Sequence, residues 1–164
     1  MSEEQYIKLT SYFRKTKFRE SMVKYLCRFT PLIVFITYTF TVLSLFINKS
    51  DKIFLFILVP ASNFLFVSII RKVLNKPRPY DLFNHKPLVK YTKGKRKSFP
   101  SRHTSSAFII AISYFYLNNP LLGVSMLITA IIIGLSRIIA GVHFPKDVAA
   151  AILISLIWAF IGYY

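Results

Sequence analysis

The sequence predicts an all-α fold, a polytopic membrane helix bundle, from its composition and from the arrangement of its apolar residues. Hydrophobic residues make up 54% of the 164 residues, and the mean hydropathy is +0.50. These residues are collected in long uncharged blocks, which is typical of segments that cross a bilayer and not of amphipathic helices in soluble proteins. We therefore expect about five transmembrane helices in a single membrane-embedded domain, residues 29–164, preceded by a basic amphipathic helix.

Five apolar segments follow residue 28, and each is expected to form one helix of the bundle. They are residues 29–47, 53–70, 104–117, 121–136 and 148–164. The first two approach the ~20 residues that a span requires, whereas the third is short unless residues 100–103 extend it. The connections at 48–52 and 118–120 are so short that the helices they join must be antiparallel.

Residues 1–28 mix apolar side chains with Lys and Arg at roughly helical spacing. This pattern predicts an amphipathic helix that lies on the membrane surface. A poorly ordered basic tail is the alternative interpretation.

The chain is strongly basic, with 22 Lys and Arg against 6 Asp and Glu. Because these residues lie between apolar blocks, we expect them to contact anionic lipid headgroups and to set the orientation of the helices. No known nucleic-acid-binding motif is present, so we expect no nucleic-acid partner. Cys27 is the one cysteine, which excludes an intrachain disulfide and a cysteine-based metal site.

Three polar clusters are expected to meet at one face of the membrane. Two helices separate residues 71–103 from residues 137–147, so both stretches must lie on the same side. The clusters are Arg71-Lys72 with Arg78-Pro79, then Pro100-Ser101-Arg102-His103, then Ser136-Arg137 with His143 and Asp147.

These residue types suit the transfer of a phosphoryl group. One arginine guanidinium can bind two phosphate oxygens at once, and it keeps its positive charge. Backbone amides at the start of a helix, here after Ser101, add hydrogen-bond donors. A neutral imidazole such as His143 can attack phosphorus if its other nitrogen is held, and Asp147 lies four residues later in the first turn of a helix. His103 could protonate the leaving oxygen.

The three clusters together resemble the signature of the type 2 phosphatidic acid phosphatase family, which is related to soluble acid phosphatases and vanadium haloperoxidases. That signature is Lys-x6-Arg-Pro, Pro-Ser-Gly-His and Ser-Arg-x5-His-x3-Asp, and the third motif matches completely; the resemblance covers roughly residues 50–164. It implies that His143 is the nucleophile, that Asp147 is its partner and that His103 is the general acid. It further implies that Arg78, Arg137 and Ser101 hold the phosphate and that the site needs neither a metal nor a cofactor.

The sequence departs from that signature at two places. Arg71 stands where the family has lysine, with Lys72 beside it, so either side chain could contact phosphate. Arg102 replaces a glycine, which would strain the backbone if the position required a positive φ. The Arg102 side chain could also contact a second phosphate or a headgroup.

The first functional hypothesis is a metal-independent phosphatase that hydrolyses phosphatidylglycerophosphate or phosphatidic acid through a phosphohistidine. The alternatives are a phosphatase for undecaprenyl diphosphate or another lipid diphosphate, and a catalytically silent protein that binds anionic lipids. All of the Lys and Arg residues except Lys49 and Lys52 fall on the side of the three clusters. The positive-inside rule then predicts a site that faces the cytoplasm, whereas the resemblance implies the opposite, because bacterial members of the family usually face outward. We expect the membrane to be a bacterial cytoplasmic membrane. The sequence does not indicate an oligomeric state.

Overall fold

The computed structural model describes residues 1–83, 85–94 and 96–164, and all regular secondary structure within these residues is helical. The prediction of an all-α bundle is confirmed. The helices are α1 (Glu3–Arg14), α2 (Lys17–Ile47), α3 (Ile53–Leu74), α4 (Pro79–Leu82), α5 (Arg102–Tyr116), α6 (Pro120–Ile139) and α7 (Pro145–Tyr163).

The N-terminal segment forms two helices, where the sequence predicts one. A capping box between Ser2 and Gln5 begins α1, and the Thr16 hydroxyl, which accepts from the Arg19 amide, begins α2. The N-terminal amphipathic helix is therefore shorter than residues 1–28. With 31 residues, α2 is about 46 Å long and exceeds a hydrocarbon core of about 30 Å. α2 is therefore longer than an untilted span requires.

Among the described residues, four stretches are long and apolar enough to cross a membrane. They are α2, α6, α7 and the stretch Ile53–Leu82, which begins with α3. Large apolar side chains on these helices point away from the protein, among them Phe40, Leu65, Ile131 and Phe160. Such a surface would be unfavourable in water but matches lipid chains. The chain is an integral membrane protein.

The remaining predicted span, α5, has only 15 residues. It packs against α2, α3, α6 and α7 and lies at the centre of the bundle. Because neighbouring helices enclose it, α5 does not need the length of a lipid-exposed span.

Buried contacts hold the centre of the bundle together. Phe56 of α3 packs against Tyr114 of α5, with ring centroids 5.6 Å apart. Two turns further along α3, Asn63 donates to Ser105 (3.2 Å), and the hydroxyls of Ser105 and Ser155 are 2.9 Å apart. Polar groups inside a bilayer must pair within the protein, so this network links α3, α5 and α7.

Candidate active site

The three polar clusters of the sequence surround one cavity of about 500 Å³. It lies where α3 ends, α5 begins and the chain passes from α6 to α7, so the predicted convergence at one face is observed. The lining residues are Arg71, Arg78, Tyr80, Val89, Lys90, Tyr91, Thr92, Arg102, His103, Arg137, Val142 and His143.

His143 is held from one side of its ring. It lies in the turn between α6 and α7, and its Nδ1 is 3.4 Å from Asp147 Oδ2 and 3.4 Å from Ser98 Oγ. Pro145 begins α7, which places Asp147 in the first turn as the sequence predicts. Because Nδ1 faces these partners, Nε2 is the nitrogen that remains for a ligand in the cavity.

The environment of His143 favours its neutral form. Burial lowers the pKa of this imidazole to about 4, and the positive charges of Arg78 and Arg71 act in the same direction. The hydrogen bond and negative charge of Asp147 oppose these effects without cancelling them. A neutral ring at pH 7 is the form that can act as a nucleophile.

Asp147 Oδ2 accepts several contacts at once. Besides facing His143, it accepts hydrogen bonds from Ser98 Oγ and from the backbone N–H of Phe144, the latter at 3.0 Å. These donors fix the carboxylate against the ring. Asp147 therefore lies behind His143 and does not line the cavity itself.

Backbone carbonyls anchor three of the cavity arginines. Arg71 donates to the carbonyls of Ser98 and Pro100, Arg78 donates to that of Val142 at 3.2 Å, and Arg137 donates to that of Cys27 at 3.0 Å. A guanidinium has five N–H donors, so each arginine keeps donors for a ligand. Within the described residues, the Nε atoms of Arg78 and Arg137 are buried without a hydrogen-bond partner.

Two predicted phosphate ligands lie outside the cavity. Lys72 is exposed and is not among the lining residues, because consecutive side chains on a helix point about 100° apart. Of the two alternatives at this position, Arg71 is the one that lines the cavity. Ser101 is buried, and its hydroxyl lies 2.9 Å from that of Thr104, so its side chain is turned into the start of α5.

His103 and Arg102 both line the cavity from the first turn of α5. The possible strain at Arg102 does not arise, because Arg102 is the first residue of the helix and is not among the residues with positive φ. An arginine fits this backbone without strain.

The sequence interpretation missed several residues of the site. Ser98 contacts both His143 and Asp147, and the only sequence signal for it is its position just before the Pro100–His103 cluster. Tyr80, Lys90, Tyr91 and Thr92 form a wall of the cavity but belong to no recognisable motif. Lys95, in the basic run at 93–97, lies outside the described residues.

α1 holds two loops that border the cavity. The buried Tyr6 hydroxyl donates to the carbonyls of Gly141 and His85, both at 3.3 Å. Gly141 has a φ of +76°, and a Cβ there would lie 2.7 Å from the Tyr6 ring, so only glycine fits. Arg14 also donates to the Lys86 carbonyl at 2.6 Å. The N-terminal helix is therefore part of the framework around His143.

Two curated proteins are similar to this chain in sequence. Undecaprenyl-diphosphatase BcrC of Bacillus subtilis (strain 168) is 31% identical over 93 residues, which is 57% of this chain and 47% of that protein. Bacitracin transport permease protein BcrC of Bacillus licheniformis is 42% identical over 62 residues, 38% of this chain and 30% of that protein. The matched part thus spans less than half the length of these relatives.

Two solved structures share the fold over nearly the whole chain. The crystal structure of Aquifex aeolicus LpxE has a TM-score of 0.75 and 26% identity, and the match covers 97% of this chain and 92% of that one. The structure of a transmembrane PAP2-type phosphatidylglycerolphosphate phosphatase from Bacillus subtilis has a TM-score of 0.71 and 19% identity, over 98% of this chain and 82% of that one. The second similarity concerns the fold alone.

The family comparison covers the part of the chain that carries the cavity. A model of the PAP2 superfamily matches residues 52–164, which include all three polar clusters and α3 to α7. This chain therefore belongs to the PAP2 superfamily.

Proposed function

We propose that this protein is an integral-membrane, metal-independent lipid phosphatase that hydrolyses a phosphomonoester, such as phosphatidylglycerophosphate or phosphatidic acid. The observation that carries the proposal is the single cavity in which His103 and His143 meet the guanidinium groups of Arg71, Arg78 and Arg137. A lipid phosphate carries a charge of about −1.5 to −2 at pH 7, which these arginines would neutralise.

In the first step, Nε2 of His143 attacks phosphorus while the bond between phosphorus and the lipid oxygen breaks. His103, whose protonated form the negative charge of the bound phosphate favours, gives its proton to that departing oxygen, and the lipid alcohol leaves. Asp147 accepts a hydrogen bond from the Nδ1–H of His143 and stabilises the positive charge that the ring acquires. The arginines stabilise the charge on the oxygens of the transferred group.

In the second step, water attacks the phosphorus of the phosphohistidine. His103, now neutral, takes a proton from the water, and the bond between phosphorus and Nε2 breaks. Inorganic phosphate leaves, and both histidines return to their starting states. Ser98 and the Phe144 amide hold the Asp147 carboxylate in place throughout.

Hydrolysis of a lipid diphosphate is the second candidate, and two observations favour it. The relative that is 31% identical is named an undecaprenyl-diphosphatase, and Arg102 adds a further positive charge to the cavity. The same histidine chemistry would serve, because the attacked group is again a terminal phosphate and the departing oxygen belongs to an inner one.

We also propose that the site faces the cytoplasm of a bacterial cell. Only Lys49 and Lys52, among the 22 Lys and Arg, belong to the connection on the opposite face. The contacts of α1 with the loops at His85 and Gly141 support counting its basic residues on the side of the cavity. The positive-inside rule favours a cytoplasmic location for that side. Labelling of an introduced cysteine at Lys93 in intact cells tests this, since protection from an impermeant reagent is expected.

The proposed activity is tested with purified protein in detergent. We expect release of phosphate from short-chain phosphatidic acid and phosphatidylglycerophosphate with EDTA present, and inhibition by vanadate. His143→Ala should abolish release, whereas His85→Ala should retain it, because His85 lies on the same face but outside the cavity. Full activity of His143→Ala would exclude the mechanism. A wild-type protein that binds these lipids without releasing phosphate would support the catalytically silent alternative.

A further inference from the structure

Arg102 differs from the other cavity arginines in being unanchored. Arg71, Arg78 and Arg137 each donate to backbone carbonyls. The Arg102 side chain is exposed, and among the described residues its recorded contact is with the Phe64 ring, whose centroid is 5.2 Å from the guanidinium carbon. All five of its N–H donors therefore remain for a ligand.

A second, apolar groove begins at Arg102. This groove has a volume of about 280 Å³ and lies between α2, α3, α5 and α6. Its walls include Val34, Phe35, Phe64, Ile110 and Ile133, and Arg102 and His103 line both the groove and the polar cavity. These two side chains stand at the junction between the polar and the apolar space.

The junction restricts how a phosphorylated lipid can bind. Its terminal phosphate must reach His143 in the polar cavity. Its hydrocarbon chain is more stable in the apolar groove than in the polar cavity. The part of the lipid that connects the two must then pass Arg102. An anionic group in that connecting part would meet a guanidinium that no described residue neutralises.

We propose that Arg102 is a specificity-determining residue that binds an inner phosphate, located between the phosphate attacked by His143 and the lipid chain. This inference rests on the proposed function and refines its substrate class. The inner phosphate can be the second phosphate of a diphosphate or the phosphodiester of a lipid such as phosphatidylglycerophosphate. A simple monoester such as phosphatidic acid has no inner phosphate and gains nothing from Arg102.

The inference is tested by binding, which requires no turnover. Two ligands with the same alkyl chain are compared on the detergent-solubilised full chain by calorimetry: an alkyl phosphonate and the corresponding alkyl methylene-bisphosphonate, neither of which can be hydrolysed. We expect wild-type protein to prefer the bisphosphonate. Arg102→Gln should reduce this preference about 10- to 100-fold, the size of a hydrogen-bonded charge contact, while phosphonate affinity stays within about twofold.

Lys72→Gln is the matched control, since Lys72 is an exposed cation near the end of α3 that does not line the polar cavity. It removes the same charge but should preserve the preference for the bisphosphonate. The proposal would be overturned if both variants lost the preference for the bisphosphonate equally. It would also be overturned if Arg102→Gln weakened the binding of the phosphonate and the bisphosphonate equally. A third ligand, with glycerol between its two phosphorus atoms, distinguishes whether the inner phosphate is a phosphodiester or part of a diphosphate. If Arg102→Gln weakens only this ligand, the inner group is a phosphodiester; if it weakens only the bisphosphonate, the inner group belongs to a diphosphate.

The phosphatase activity and the role of Arg102 in binding can be refuted separately. Wild-type protein that shows the predicted preference but releases no phosphate from lipid substrates would refute the proposed phosphatase activity and leave the role of Arg102 in binding intact. Phosphate release that depends on His143, together with an Arg102→Gln variant that weakens neither two-phosphorus ligand relative to the phosphonate, would support the activity and overturn the role of Arg102.

Discussion

Asp147→Asn removes the negative charge behind His143 while it keeps the shape of the side chain. In the structure, Asp147 Oδ2 accepts from Ser98 and Phe144, whereas Oδ1 is buried with no hydrogen-bond partner among the described residues. An asparagine can place its amide oxygen at the Oδ2 position and keep both hydrogen bonds. The substitution therefore tests the charge more than the geometry.

The expected magnitude follows from the distance between the two groups. Asp147 Oδ2 lies 3.4 Å from His143 Nδ1, and two unit charges at that separation attract by about 5 kcal/mol at an effective dielectric constant of about 20. Since each 1.36 kcal/mol corresponds to about a tenfold change in rate, losing this attraction in the transition state would lower kcat by about 10³- to 10⁴-fold. The amide dipole retains part of the stabilisation, so we expect a loss of about 10³-fold.

The measurement is kcat at saturating short-chain lipid phosphate, with thermal stability recorded for every variant. Asp51→Asn, in the exposed connection on the opposite face, is the matched control and should retain wild-type kcat. Ser98→Ala should give an intermediate loss of about tenfold, because it removes one hydrogen bond to the charged group and leaves the charge itself.

A loss in kcat of less than about tenfold in a folded Asp147→Asn protein would contradict this expectation. That result would mean that the charge behind His143 does not stabilise the transition state. A Ser98→Ala defect as large as that of Asp147→Asn would instead show that the hydrogen bond, and not the charge, is the essential feature.

Three further predictions concern the cavity and its framework. Arg71→Gln should lower kcat/KM at least tenfold, whereas Lys72→Gln should stay within about twofold, because only Arg71 lines the cavity; equal effects of the two substitutions would contradict this assignment. Because the pKa of folded His143 is about 4 and an unfolded histidine titrates near 6.5, the unfolded state takes up a proton first as the pH falls. The free energy of unfolding should therefore decrease as the pH falls from about 6.5 to 4. If the Tm of His143→Gln depended on pH in the same way as that of the wild type, titration of His143 would be excluded as the cause. Tyr6→Phe should lower the free energy of unfolding by about 1 kcal/mol through the lost contacts with Gly141 and His85, and an unchanged melting temperature would show that α1 does not stabilise these loops.

Much of the architecture can be predicted from the sequence, because membrane-spanning segments are defined by their local composition. The positions of α2, α3, α6 and α7 follow from uncharged apolar blocks, which can be recognised without knowing their neighbours. The start of α2 was the exception. Thr16 provides a local cap, but the basic residues that follow it obscure the continuity of the helix with the apolar block.

The spacing between His143 and Asp147 is a local property for the same reason, since both belong to one turn and the helix that Pro145 begins. The face on which the polar clusters meet follows from the number of spans between them. These parts of the site need only the order of residues along the chain.

Other parts of the site depend on packing between distant segments. The preference for Arg71 over Lys72 depends on which side of α3 faces α5, and the contacts of Ser98 with His143 and Asp147 depend on how the polar loop folds across the bundle. Tyr6 reaches Gly141 across 135 positions of sequence. No local pattern encodes such contacts, because each arises from side chains that become neighbours only when the helices pack.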